Sequence, residues 1–202
     1  LSDIHDLIVR AQPLVEQVYW PDLIAIAGLY KDWAAIGGGT GNYLAVGEFP
    51  DTDVRDIDSL YFPRGIILGK DLGRVLPYDH ERVKEFINTS WYEYSKGDGA
   101  GLHPWEGETK AKYSGPKTPW TYLQDESKYT WMKAPRYDGR PMEVGPLARM
   151  LVAYASGHAD VKGMVNETLG RLDVGAPALF STLGRTAARG METVLLARRM
   201  GH

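Results

Sequence analysis

The chain has 202 residues, 44% of them hydrophobic, a formal net charge of −3 and no cysteine. That composition supports a globular core, and it excludes disulfides, thiolate metal sites and cysteine nucleophiles from this stretch of sequence. The weak acidity implies no general affinity for nucleic acid or anionic membrane, and no run approaches the roughly 20 apolar residues needed to cross a bilayer.

Taken in order, Leu1 to Val18 places Leu1, Ile4, Leu7, Ile8, Ala11, Leu14, Val15 and Val18 at spacings of three and four, which predicts an amphipathic helix. Pro13 should kink it or split it in two. Pro21 suits a first helical turn, and the apolar run that follows predicts a more buried helix ended by Gly37-Gly38-Gly39-Thr40-Gly41, so residues 1–36 read as helical. From 42 to 72, short β-compatible runs (Tyr43–Val46 and Gly65–Leu68) between Gly, Pro and Asp predict a small antiparallel sheet. Residues 79–94 read as a helix with Asp79 at its N-cap and Val83, Phe86, Ile87 and Trp91 on one side.

Residues 95–142 read as an extended segment followed by a charged loop, and the part from Ser95 to Met132 holds His103, Trp105, Tyr113, Trp120, Tyr122, Tyr129 and Trp131 among Gly, Pro and Thr. So many aromatics argue against disorder, and predict an extended segment anchored by its rings over another surface, that of the rest of a longer chain or of a partner. Residues 143–200 read as helical, with Gly157 and Gly175 at helix ends. The fold class is α+β, mainly helical. The start lacks a basic segment followed by an apolar one. Leu1 opens within helical spacing and His202 closes just after an amphipathic run, so residues 1–202 are expected to be the central portion of one larger subunit.

Most motifs dissolve on inspection. Gly37–Gly41 has neither a preceding strand nor a Gly-Lys-Ser/Thr ending, and reads as a turn. The acidic run Asp51, Asp53, Asp56 and Asp58 contains Arg55 and no glycine, unlike a calcium loop. Asn88 and Asn166 match glycosylation acceptors only formally, and Ser181 has no adjacent base. No histidine pair has helical metal-ligand spacing with a carboxylate. His103 stands out only because Pro104 fixes its backbone among aromatics. No catalytic residue and no metal ligand is assigned in the chain.

What remains is Lys133 to Arg149, where three prolines and two glycines punctuate four cationic side chains, Lys133, Arg136, Arg140 and Arg149, before an apolar helical run. Two readings stay open on these residues. One is a proline-ruled connector in which Glu143 and Arg149 pair for structure. The other is a charged surface that positions an anionic or electron-carrying group, since arginine makes directional, permanently charged contacts.

Tyr129-Thr-Trp-Met-Lys-Ala-Pro-Arg-Tyr-Asp-Gly-Arg-Pro-Met-Glu-Val-Gly-Pro-Leu-Ala-Arg149 resembles the mid-chain signature of the nickel–iron hydrogenase large subunit. Residues 18–33, Trp91-Tyr-Glu-Tyr94, Leu102-His-Pro-Trp-Glu-Gly-Glu-Thr109 and Ser181-Thr-Leu-Gly-Arg-Thr-Ala-Ala-Arg189 are similar to that family in the same order. The resemblance implies reversible oxidation of dihydrogen to protons and electrons by a full-length heterodimer, the fragment alone being inactive. It implies a nickel–iron centre with diatomic ligands on iron, held by two Cys-x-x-Cys pairs outside this segment, and an iron–sulfur small subunit as partner. It also implies that Arg136, Tyr137, Glu143 and Arg149, with His103 as a weaker member, support the partner interface or orient neighbouring groups. A membrane cytochrome reached through the partner, and a location on the periplasmic side of the cell membrane, belong to the subgroup this wording most resembles, with the cytoplasm as the alternative. Two other classes compete: the metal-free relative in respiratory complex I that contributes to a quinone site, and a non-catalytic scaffold domain.

Overall fold

A computed structural model describes residues 2–115 and 128–200. The chain forms two compact units, the first from Leu1–Tyr78 with Glu143–His202, the second from Asp79–Met142.

In the first unit, helix α1 (Ser2–Leu14) runs into a π-helical turn at Val15–Tyr19 and then α2 (Trp20–Leu29). The expected interruption is present, but it takes a different form. Pro13 sits inside α1, and the irregularity follows it, with Trp20 N–H bonded to the Val15 carbonyl. Pro21 gives the reason: it has no N–H for the carbonyl four residues back, and its ring would crowd that carbonyl, so a widened turn accommodates it. α1 is amphipathic as its spacing predicts, yet none of its residues is buried, and Ile4, Leu7 and Leu14 stand exposed.

Strands β1 (Tyr43–Ala45), β2 (Glu48–Pro50), β3 (Leu60–Phe62) and β4 (Gly65–Ile67) pair as β1–β4 and β2–β3, both antiparallel. Ala45 opposes Gly65 and Glu48 opposes Phe62, so the two sheets are one hairpin in a single register, interrupted by two residues on each arm. The acidic run forms its tip. There Asp53 and Asp56 accept backbone N–H groups from Arg55 and Asp58, and the Thr52 hydroxyl, first among several donors, holds the Asp56 carboxyl below its ordinary range.

Helix α3 (Pro146–Ala155) is the centre of this unit, with Leu147, Ala148, Met150, Leu151, Val152 and Ala153 all buried. It ends as expected at Gly157, whose positive φ lets His158 and Gly157 N–H groups reach the Ala153 and Tyr154 carbonyls. Helix α4 (Ala159–Leu172) ends differently from the expectation. Asp173, not Gly175, takes the left-handed position at φ 52, while Gly175 starts a short 3-10 turn. A short polar side chain tolerates that conformation better than most.

Helix α5 (Thr182–Met200) carries a stripe of Leu183, Ala187, Ala188, Met191, Val194 and Leu195 into the core. Buried Ser181 caps it: its Oγ accepts from Gly184 N–H at 3.0 Å and donates to the Ala178 carbonyl at 2.6 Å. A Cβ on Gly184 would overlap the Leu179 carbonyl, so only glycine lets α5 approach that backbone.

The second unit overturns one expectation. Residues 79–94 are not a helix. Asp79 does cap, accepting from Glu81 N–H, but only a 3-10 turn at His80–Arg82 follows. Then come β5 (Val83–Phe86) and β6 (Tyr92–Glu93). β5 pairs antiparallel with β8 (Ala134–Tyr137), and β6 with β7 (Lys110–Ala111). Val83, Phe86 and Ile87 satisfy a helical period over so short a window as well as they satisfy a strand, and pairing with a segment some fifty residues on decides between them. Within residues 95–142 the described aromatic rings meet their own unit: Trp91 packs edge-on against Tyr113 and Trp131, and its Nε1 donates to the Lys128 carbonyl. Trp120 and Tyr122 lie outside the described residues.

β6 and β7 are also joined by charge. Lys110 and Lys112 both bond the Glu93 carboxylate, which they hold down at about 2. A depressed folded-state pKa contributes stability above the unfolded-state value and loses it as pH falls toward the folded one. This pairing is therefore expected to weaken between about pH 4.5 and 2. A carboxyl NMR titration checks it: Lys110→Ala with Lys112→Ala should return the Glu93 midpoint to the ordinary glutamate range.

Candidate functional site

The segment Lys133–Arg149 divides between the two units, so its charges do not form one surface within either. In the second unit, Lys133 Nζ lies 3.3 Å from Glu85 Oε2 and over the rings of Tyr92 and Tyr94. Arg136 stands on β8 opposite Lys84; its guanidinium bonds the neighbouring Pro135 carbonyl and borders a hollow of about 290 Å³ lined also by Phe86, Asn88 and Thr89. Tyr137 is buried, and its hydroxyl accepts from Asp79 N–H at 3.2 Å. Asp138 and Gly139, at φ 49 and 73, reverse the chain so that Tyr137 and Arg140 exchange both backbone bonds. The Asp-Gly pair is a strong hairpin-turn signal, the one local feature of the segment that specifies this reversal.

In the first unit, Glu143 and Arg149 are both ion-paired, but not with each other as the connector reading expected. Arg185 grips Glu143 with two parallel bonds of 2.6 and 2.7 Å, and its third nitrogen bonds the Gly37 carbonyl. Gly39 is required beside this pair. It has φ +60, and a Cβ there would press on the Arg185 guanidinium. Arg149 makes the reverse arrangement, gripping Glu192 at 2.5 and 2.9 Å and reaching Glu48 at 2.9 Å. Hydrogen bonds donated to the carboxylates, outweighing the burial that opposes them, hold both arginines above their ordinary range.

Arg185 and Glu192 are two turns apart on one face of α5. Glu143, just ahead of α3, and Arg149, in its first turn, thus meet α5 through two ion pairs of opposite polarity, and a slipped register would set like charges against each other. Tyr43, wholly buried, lies in the field of the Glu143–Arg185 pair, and its hydroxyl has no hydrogen-bond partner among the described residues; burial first, then Glu143, raises its pKa. Arg185, Glu192 and Glu48 were missed from sequence. Their spacing from the loop carries no local signal, although the alternation of basic and acidic residues two turns apart on a helix was there to read.

His103 comes to His80 and Glu81, and this is the one group of three potential metal ligands among the described residues. It supplies imidazole and carboxylate. Together with the absence of cysteine, that means the chain's own donors do not fit a thiolate-held nickel–iron centre.

A nickel-dependent hydrogenase family model matches residues 1–202. The chain belongs to that family. It is 43% identical over 99% of its length to the uptake hydrogenase large subunit of Bradyrhizobium diazoefficiens, and 45% identical over 96% to that of Rhizobium leguminosarum bv. viciae. It spans about a third of those relatives, 35% and 34% of their lengths. Among solved structures, a NiFeSe hydrogenase from Dm. baculatum superposes with a TM-score of 0.73 at 28% identity, and one from D. vulgaris Hildenborough with 0.72 at 29%. In each case 96% of this chain and 37% of the other are covered. The mixed, mainly helical hydrogenase large-subunit fold expected from sequence is thereby confirmed, and the quinone-site and scaffold readings gain no support.

Proposed function

We propose that this hydrogenase-family chain is part of the catalytic large subunit of a nickel–iron hydrogenase that reversibly oxidises dihydrogen and passes the electrons to an iron–sulfur small subunit. The carrying observation is the family match over every residue, joined to relatives named as uptake hydrogenase large subunits. The bimetallic centre would supply the hydrogen chemistry from thiolates outside these residues, and no step of it is assigned to a side chain of this chain. The exposed apolar positions of α1, with Leu29 and Ile26 of α2, support a larger subunit in which other segments cover them. A location on the periplasmic side of the membrane, with a cytochrome reached through the partner, belongs to the same proposal.

The test is hydrogen-dependent dye reduction by the full-length protein purified with its partner. Uptake above a heat-treated control is expected, and its absence in a metal-replete preparation would remove the reading. Within the proposal, Arg136 is the residue assigned to partner docking, because its half-buried guanidinium borders an open hollow and bonds only the neighbouring Pro135 carbonyl among the described residues. Arg136→Ala is expected to reduce recovery of the partner in co-purification about tenfold or more, since a hydrogen bond to a charged group is worth about 1.5–3 kcal/mol. Unchanged recovery would return Arg136 to a purely local role.

A further inference from the structure

We propose that His80, Glu81 and His103 form a binding site for a zinc-class divalent cation, separate from any thiolate-held centre and independent of the hydrogenase reading. The three ligand atoms lie within 4.8 Å of one another, with His80 Nδ1 and Glu81 Oε1 already 3.3 Å apart. That is close to the ligand–ligand separation of about 3.4 Å that metal–ligand distances of about 2.0–2.1 Å impose in a tetrahedron.

The donors come from two segments that the fold locks together. Glu85 and Leu102 exchange backbone bonds of 2.8 and 3.1 Å, fixing the turn that carries His80 and Glu81 against the residue before His103. His103 is further oriented from behind. Its Nε2 lies 3.2 Å from the His80 carbonyl, and because a carbonyl only accepts, Nε2 carries the proton and Nδ1 keeps its lone pair. A backbone carbonyl holding the far nitrogen in this way is the usual support for a ligating imidazole.

Nδ1 accepts from Trp105 N–H at 3.2 Å, a long bond that a cation would replace. The Trp105 ring packs beside both imidazoles, with centroids 5.6 Å from His80 and 5.4 Å from His103. Two imidazoles and one carboxylate, with a fourth position left for water, suit zinc and its borderline neighbours and not calcium or magnesium.

The test uses the full-length protein as purified, titrated with Zn²⁺ against a chromophoric chelator and separately with Co²⁺. Wild type is expected to take up one equivalent more than His80→Ala or His103→Ala. Each variant should bind at least about tenfold more weakly, since even an outer partner of a ligand is worth about 10–100-fold. Bound Co²⁺ should quench tryptophan fluorescence, and Trp105→Phe should remove most of that quenching while leaving the stoichiometry unchanged. Equal affinity and stoichiometry in wild type and both histidine variants overturn the site, as does quenching that Trp105→Phe leaves intact. The substituted side chains lie at the surface or its margin, and circular dichroism of each variant separates lost binding from lost folding.

Discussion

Arg149→Ala is expected to destabilise the first unit by about 3–5 kcal/mol, the range for removing one partner of a buried ion pair. The magnitude comes from what stays behind. Glu192 has only 7% of its side chain exposed, and Arg149 supplies both of its short bonds. Without the guanidinium the carboxylate must either hold an uncompensated charge in the core or take up a proton. Glu48, 36% exposed, can turn to solvent and adds little to the loss. The urea midpoint, followed at constant m-value, measures the effect. Arg149→Met combined with Glu192→Leu should recover most of the stability, because apolar residues of similar volume remove both charges at once. A single variant within 1 kcal/mol of wild type would show that solvent reaches Glu192.

The second large effect is at Gly184, where alanine is expected to cost about 1–3 kcal/mol or more by overpacking. The obstacle is the backbone of Ala178 and Leu179, which cannot swing aside as a side chain could. Relief requires α5 to lift from the turn that precedes it, and that strains the Ser181 cap on Gly184 N–H. Gly170 provides the contrast. It is an exposed residue of α4, and a Cβ there meets nothing within 4 Å, so Gly170→Ala should instead stabilise by about 0.5–1 kcal/mol through lost freedom of the unfolded chain. Opposite signs for the same substitution in two helices, read from paired denaturation curves, check both arguments. If both glycines stabilise on replacement, the close approach at Gly184 is not rigid.

These two positions mark how far sequence reasoning reached. Gly184 lies in a segment that reads as helix, where glycine looks like a simple penalty; only the 3-10 turn folded back beneath it makes glycine necessary. Arg149 drew attention through its punctuated loop, yet the expected partner, Glu143, was wrong. Glu143 lies ahead of α3 and Arg149 within it, so the turn at Gly145 and not their spacing sets where each points, whereas Arg185 and Glu192 are held two turns apart on one rigid helix and can each meet one of them. His103 was singled out for its neighbours Pro104 and Trp105, while His80 and Glu81, more than twenty residues earlier, were assigned to a helix that does not form. The β5–β8 ladder and the Glu85–Leu102 bridge bring them together.

By itself the sequence determined the long helices, a small antiparallel sheet within residues 42–72, the turn at the acidic run and the family, because helical period, turn chemistry and ordered motifs are local properties that neighbouring residues carry together. Tertiary structure alone decided that residues 83–86 are a strand, that Asp173 and not Gly175 ends α4, which carboxylate each arginine grips, and that two histidines and a glutamate converge. Those outcomes depend on contacts between distant segments, and their free energy appears only when the partner segment is in place.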